Sequence, residues 1–412
     1  MRPTVTPTAR TPDLRAPSSP ELARCVGDVD AFLSTRFTVA PHRWSGGQFR
    51  DLLSLVDVDG QLSGAGLRRP AVRLVRDGEV IDPSTWTRRA RTGATWVDDL
   101  VHPGKALGLF ADGATIVLQS LHRWWPPLTA FCRDLEATLG HAVQANAYLT
   151  PPGAAGLTPH HDTHDVFVLQ VEGAKHWTVR APIIEAPLAR HRSDHVAAGA
   201  QPVLFDAEMS PGDCLYLPRG VIHSAAAQEG VSLHITVGVL ATTAHDLLRR
   251  LVDRAADEAG FRRTLPARFG ADTDSAGRAV KELVVELVAW LERLDVHDVA
   301  TELVASVATR RAPLLDGHLH DLAGLGSLSD ATTVVRRPAS PPPLVADGDR
   351  LQLRLGDRCL DLPARVEPAV RRLLDGAPHA VAELSDQLDE SSRRVLVRRL
   401  IREGALRTTD GA

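Results

Sequence analysis

Two short segments concentrate the residues able to do metal chemistry: Pro159-His160-His161-Asp162-Thr163-His164-Asp165 and Pro218-Arg219-Gly220-Val221-Ile222-His223. The first precedes the apolar run 166–171, and the second follows Pro211-Gly212-Asp213-Cys214-Leu215-Tyr216-Leu217. On an extended chain, side chains at i and i+2 share a face, so His160 and Asp162 point together and His161 points away. His164 shares their face, but four residues of strand span about 13 Å, too far for three ligands to close on one ion. The third ligand must come from another strand, and His223 is the best-placed histidine. Two imidazoles and a carboxylate on one side of an octahedral ion leave three positions open, the arrangement of non-haem Fe(II) oxygenases. Two of those positions suit a chelating 2-oxo acid and the third suits O2. A closed zinc site, which prefers thiolates, fits less well. Without a metal, the same residues read as solvated turn histidines.

A 2-oxo diacid also needs a cation for its far carboxylate. Of 47 basic residues only three are lysine, Lys105, Lys175 and Lys281, and a bias toward arginine accounts for most of that scarcity. Lys175, in Glu172-Gly173-Ala174-Lys175-His176-Trp177, begins the second strand of an expected hairpin. Pointed inward it needs an anion, because a buried unpaired ammonium is costly. A compact point charge also suits a narrow pocket better than a guanidinium.

The elements that must position these residues are short β-rich runs at 114–119, 165–171, 176–181, 213–218 and 231–240, punctuated by Pro and Gly. Many short strands between turns predict a barrel or double-sheet jelly roll in an α+β chain. In 231–240, Leu233, Ile235 and Val237 alternate with Ser232, His234 and Thr236, so the polar set, Ser232 and His234 included, is a candidate for lining the pocket. Tyr148 alternates with Asn146 and is a candidate of the same kind. Trp124 and Trp125 read as core anchors and Arg219 as a loop ion-pairing residue.

The period then changes to that of helices, over 244–261, 276–294 and 296–309, which either cover the barrel or pair with a second copy of the chain. RRPASPPPLVA (336–346) reads as an extended linker. The unit beyond it reads as strand, three helices and a final strand, the order of a winged helix, its last helix directing Val395, Leu396, Leu400 and Ile401 inward and Gly404 at its C-terminal cap. The expected division is a disordered leader 1–20, a catalytic domain 21–242, a helical domain 243–325, a linker 326–349 and a winged unit 350–412.

Composition sets the limits. With 44% apolar and 24% charged residues the chain is globular. It contains no run long and apolar enough for a transmembrane helix. A net charge of −4 gives no general case for nucleic acid or an anionic membrane. The 12 arginines and 10 acids of residues 350–412 argue for docking or structure over DNA reading. Four scattered cysteines form no CxxC pair and suit the cytosol.

The residues at 146–153 (Asn-Ala-Tyr-Leu-Thr-Pro-Pro-Gly), 159–162, 165–177, 211–213 and 217–223 resemble the JmjC-type ribosomal oxygenases, cupin-like protein hydroxylases that use 2-oxoglutarate and Fe(II). The resemblance implies a double-stranded β-helix (jelly-roll, cupin) JmjC barrel, a helical dimerisation domain and a C-terminal winged helix. It implies Fe(II) on His160, Asp162 and His223, 2-oxoglutarate with its distal carboxylate on Lys175, Asn146 beside the co-substrate, and O2 as oxidant. The implied substrate is an arginine or histidine side chain of a ribosomal protein or peptide, and the implied assembly a cytoplasmic homodimer. His161, where Tyr or Phe is common, and Thr163-His164 depart from the pattern. Two other readings stay open: a metal-dependent cupin acting on a small molecule, and a winged-helix regulator with a ligand-sensing barrel.

Overall fold

The structure, a computed structural model, describes residues 19–64, 66–154, 158–191, 201–309, 315–337, 342–356 and 358–409. It divides into two compact units, Met1–Ala241 and Thr242–Ala412. Of the expected disordered leader, residues 1–18 lie outside the described residues. Its last two residues are ordered: Ser19 is buried and its Oγ caps the helix α1 (Pro20–Val26) at Leu22 N, while also donating to Asp134. A serine before proline is a helix start, which outweighs the disorder-prone composition upstream.

In the first unit α1 is followed by α2 (Val29–Thr35), β1 (His42–Trp44), α3 (Leu55–Gly64), β2 (Val72–Arg76), β3 (Glu79–Val80), β4 (Thr87–Thr92), β5 (Thr95–Val101), α4 (Pro103–Ala111), β6 (Thr115–Leu118) and α5 (Pro126–Leu139). Then come β7 (Ala142–Thr150), β8 (His160–His161), β9 (Asp165–Glu172), β10 (Lys175–Arg180), β11 (Val203–Met209), β12 (Cys214–Leu217), β13 (Ile222–Ala227) and β14 (Ser232–Leu240). The large sheet has the order β1-β12-β9-β14-β7-β6-β2-β3 and the small one β11-β10-β13-β8. Every pairing within them is antiparallel.

The strand β9 shows how the layers stack. Its residues 165–171 are all buried, which an alternating one-sided strand cannot be. Phe167, Leu169 and Val171 join a core with α1, α2 and α5, whereas Val166 and Val168 meet Trp177, Val179 and Met209 of the small sheet. Helices thus cover the outer face of the large sheet, and the small sheet packs on its inner face, giving the cupin double-stranded β-helix. Trp125 supports the outer core, its Nε1 donating to Leu52 O at 2.7 Å.

In the second unit the helical periods appear as α6 (Ala244–Ala255), α7 (Thr273–Arg293) and α8 (Val296–Thr309). Along α7, Val280, Val284, Val288 and Leu291 leave an apolar stripe exposed. There follow α9 (His318–Ala323), β15 (Thr333–Arg336), β16 (Leu344–Asp347), β17 (Arg350–Leu355), β18 (Arg358–Pro363), α10 (Glu367–Leu373), β19 (His379–Ala380), α11 (Glu390–Arg402) and β20 (Leu406–Thr408). They form the sheets β19-β15-β20 and β16-β17-β18 around one core.

Three expectations are corrected here. The stretch 326–349 is not a linker throughout: Val334 of β15 is buried in the core, and β16 pairs with β17. Prolines 338 and 341 lie outside the described residues, and the apolar residues on either side drive strand pairing. Second, β17 does not lead straight to a helix, because β18 intervenes; Leu360 and Leu362 face in while Cys359 and Asp361 face out, a period of two. Third, α11 buries Leu396, Val397, Leu400 and Ile401, and Val395 is 62% exposed, one residue off the stripe. Among the described residues no helix is long and apolar enough to cross a membrane.

The turn from β9 to β10 has no room for a side chain. Gly173 has φ +63°, and a Cβ there would lie 1.9 Å from Val231 O. Gly113 has φ +99° but open space around it. Gly173→Ala should cost about 3 kcal/mol or more, by clash added to strain, and Gly113→Ala about 1 kcal/mol, by strain alone. Urea unfolding of the two variants checks the difference.

Candidate metal centre

The pairing of β8 with β13 sets His160 directly opposite His223, and their ring centroids are 4.4 Å apart. Asp162 follows β8, and its carbonyl accepts from Gly220 N at 2.9 Å. Gly220 has φ +89°, and a Cβ there would meet Ile184 O at 2.5 Å, so the bend before His223 requires glycine. One ligand atom from each of His160, Asp162 and His223 lies within 4.8 Å of the others.

The two imidazoles are held in one tautomer. His160 Nδ1 lies 2.8 Å from Thr158 O and His223 Nδ1 lies 3.1 Å from Val221 O. A carbonyl only accepts, so each Nδ1 carries the proton and each Nε2 keeps its lone pair for a metal. Burial, reinforced by the neighbouring His160, holds the His223 pKa well below its ordinary value. The ring is therefore neutral, as a ligand must be. This donor set fits a divalent metal with open positions. His161 turns away, its Nε2 3.0 Å from His191 O. His164 packs against Gly238, where a Cβ would meet its ring at 2.6 Å.

The triad opens on a cavity of about 380 Å³ between the sheets, walled also by Arg73, Tyr148, Lys175, Trp177, His234 and Thr236. Lys175 is 2% exposed, and its Nζ donates to Thr150 Oγ1 at 2.9 Å. No anion faces it among the described residues, and burial lowers its pKa to about 7. The buried His234 ring stacks on Tyr148 at 4.9 Å and meets the edge of Trp177 at 5.5 Å. Burial first, and then Lys175, push its pKa well below the ordinary range. His234 Nδ1 and Trp177 Nε1 are buried without a hydrogen-bond partner among the described residues.

Two other residues expected at the site are engaged elsewhere. Asn146 Oδ1 accepts from Ser120 N at 2.9 Å, tying down a residue with φ +57°. Ser232 Oγ accepts from Gln170 Nε2 at 3.0 Å inside the large sheet. Neither is among the cavity-lining residues. A buried polar group is claimed first by the nearest backbone or amide partner, which alternation alone does not reveal. The sequence reading passed over Arg73, Thr115, Thr150 and Trp177. The signal was present for Trp177, two residues beyond Lys175 and so on its face, and for Arg73, alternating with Val72 and Leu74.

Residues 126–247 match the JmjC domain family, so the chain carries a JmjC domain. The bifunctional lysine-specific demethylase and histidyl-hydroxylase NO66 of Drosophila mojavensis is 34% identical over 194 residues, 46% of this chain and 22% of that protein. Ribosomal oxygenase 2 of Bos taurus is 34% identical over 176 residues, 41% of this chain and 38% of that protein. The chain thus spans less than half the length of these curated relatives. Among solved structures, the Escherichia coli ribosomal oxygenase YcfD in complex with cobalt and 2-oxoglutarate matches with a TM-score of 0.54 at 18% identity, covering 92% of this chain and 98% of that one. At that identity the likeness establishes a shared fold.

His160→Ala and His223→Ala should each weaken Mn(II) binding by at least about a hundredfold, beyond the roughly 10–100-fold that follows loss of an outer partner of a ligand. His161→Ala should leave it within about threefold. Titration of Mn(II) by electron paramagnetic resonance reads all three.

Proposed function

We propose, from the JmjC domain that the chain carries, that it is a 2-oxoglutarate- and Fe(II)-dependent oxygenase that hydroxylates an arginine or histidine side chain of a ribosomal protein or peptide. One observation carries this reading: a buried cation without an anion, Lys175, shares a cavity with two histidines and a carboxylate preset as metal ligands. A diacid that also chelates metal satisfies both at once.

His160, Asp162 and His223 would hold Fe(II), and Lys175 with Thr150 would hold the distal carboxylate of 2-oxoglutarate. When bound, iron with 2-oxoglutarate and O2 supplies the oxidation of a C–H bond to an alcohol, with succinate and CO2 as by-products. The protein's part is placement and exclusion of water. Thr158 and Val221 carbonyls fix the imidazoles. The Tyr148–His234 stack and Trp177 form one wall of the cavity, and the Trp177 Nε1–H and the His234 Nδ1 are free to meet polar atoms of a ligand.

The name ribosomal oxygenase borne by some relatives supports a ribosomal substrate, and the name histidyl-hydroxylase borne by another supports a histidine target. The exposed stripe on α7 supports homodimerisation through 243–325. Strands β15, β19 and β20 with α10 and α11 support a winged-helix reading of the C-terminal unit, and its near-balanced charge a role other than nucleic-acid binding. The four cysteines are free, in keeping with a cytoplasmic setting.

The purified chain should release succinate only with both Fe(II) and 2-oxoglutarate, and His160→Ala should abolish the release. A ribosomal protein from cells lacking the gene should be lighter by one oxygen atom in intact-mass spectra. Metal-independent turnover overturns the assignment.

Lys175 makes co-substrate binding depend on pH. In the empty cavity its pKa is lowered from the ordinary 10.5 to about 7. A bound carboxylate favours the charged form, so above about pH 7 binding takes up a proton. Affinity for 2-oxoglutarate in the Mn(II)-loaded protein should fall by about tenfold per pH unit above that point. Lys175→Arg, charged throughout, should lose the slope, and Lys175→Ala should lower affinity by at least about a hundredfold. Calorimetry in buffers of different ionisation enthalpy reads the proton uptake directly.

A further inference from the structure

The cavity holds one more cation than the co-substrate can use. On β2, Val72 and Leu74 join the helix-covered core, while Arg73 and Val75 face the opposite way, into the cavity. The register runs straight across the large sheet: Arg73 is opposite Val117, Val117 opposite Tyr148, and Tyr148 opposite His234. All four belong to the cavity wall. Arg73 makes no hydrogen bond or ion pair among the described residues, and its Nε is buried without a partner. Its charge is felt at Tyr148, where burial raises the phenol pKa and Arg73 pulls it down. Glu79 lines the same cavity at its rim, but it is exposed to solvent and no ion pair joins it to Arg73 among the described residues.

The placement of Arg73 says which ligand it meets. Arg73 is three strands from His234, about 14 Å at the usual strand spacing. The Lys175 ammonium, however, sits at Thr150, whose Oγ1 also accepts from Thr115 Oγ1, and Thr115 is opposite Val75. Arg73 is two residues from Val75 along β2, about 7 Å from the level of the inner anion site. Its hairpin turns at Asp77 and Gly78, and a Cβ on Gly78 would lie 2.7 Å from Thr158 Cγ2. Thr158 is also the residue whose carbonyl fixes His160. Beyond the turn, Val80 is 54% exposed, so this hairpin forms the cavity mouth next to the metal ligands. A 2-oxo diacid has two carboxylates, one for Lys175 and one for the metal. Arg73 is left for a third.

We propose that Arg73 binds a carboxylate of the substrate, so that the enzyme selects peptides with Asp or Glu beside the oxidised residue. A guanidinium pairs with such a group through two parallel N–H donors. This inference rests on the 2-oxoglutarate reading above.

The test uses alanine-rich synthetic peptides centred on arginine or on histidine, with Asp, Asn or Lys at one flanking position. They are incubated with the full chain, Fe(II) and 2-oxoglutarate, and oxygen addition is read by mass. For the wild type, kcat/KM for the best Asp peptide should exceed that of its Asn twin by roughly tenfold or more. Arg73→Gln should erase the ratio, and Arg73→Glu should transfer the preference to the Lys peptide, a swap that a misfolded variant cannot produce. Succinate release without any preference among the wild-type reactions overturns the inference and leaves the oxygenase reading standing. Absence of metal-dependent succinate release overturns that reading instead. Calorimetry of 2-oxoglutarate on the Mn(II)-loaded variants separates the other source of a carboxylate. A loss in Arg73→Gln as large as in Lys175→Ala assigns Arg73 to the co-substrate and overturns the proposal.

Discussion

The site depends on the antiparallel register of three neighbouring strands. β8 pairs with β13 so that His160 meets His223, and β13 pairs with β10 so that His223 meets Val179. Lys175 lies four residues back along β10 on the face of Val179. The strand's own rise therefore puts the cation about 13 Å from the metal side, backbone to backbone. A lysine side chain from one end and an imidazole from the other take up much of that length, and the remainder suits a short diacid. A slip of one residue would turn Lys175, Trp177 and Val179 outward together. The glycine turn at 173 blocks that slip, because its backbone conformation and its contact with Val231 admit one register.

Burying Lys175 is unfavourable for the empty protein. Its single partner is a hydroxyl, and desolvation alone brings its pKa to about 7. The folded chain therefore carries a penalty fully present below about pH 7 and gone above the ordinary lysine pKa of 10.5. A bound dianion removes the penalty, so ligand binding and stability are linked through one side chain. The unpartnered His234 Nδ1 and Trp177 Nε1 have the same character. They are groups that lack a buried polar partner until a ligand brings one.

Much of this was legible in the sequence because the chemistry sits on strands, where period two decides direction. His160, Asp162, His223 and Lys175 meet in one cavity as their spacing implies, and His234 reaches the same wall by its alternation with Leu233 and Ile235. What alternation cannot supply is the neighbour on the next strand. Asn146 and Ser232 face the right way but are taken by Ser120 and Gln170, across gaps of 26 and 62 residues. Arg73 was hidden for the opposite reason. VRLVR is a short strand with two arginines, easily read as a solvated segment, and only its pairing with β6 turns one arginine inward. In the C-terminal unit, a proline-rich composition reads as a linker, yet Val334 and Leu344 on either side of it are strand residues.

The charges of the cavity also bear on the residue that is oxidised. Apart from Asp162, which a metal would neutralise, and Glu79, which is exposed to solvent at the rim, the charged groups of the cavity wall are Lys175 and Arg73, beside the Tyr148 phenol and imidazoles. A guanidinium entering alone would meet two cations in a low-dielectric slot, and like charges there are costly. A neutral imidazole would meet mainly the Tyr148, Trp177 and His234 rings. An acidic neighbour clamped by Arg73 changes the balance, because it neutralises the outer cation as the target residue passes it. Lys175 is by then paired with the co-substrate. The flanking acid then has two effects, one on grip and one on which side chain can enter. An arginine target should require it more strictly than a histidine target, since only the arginine brings a charge that has to be offset.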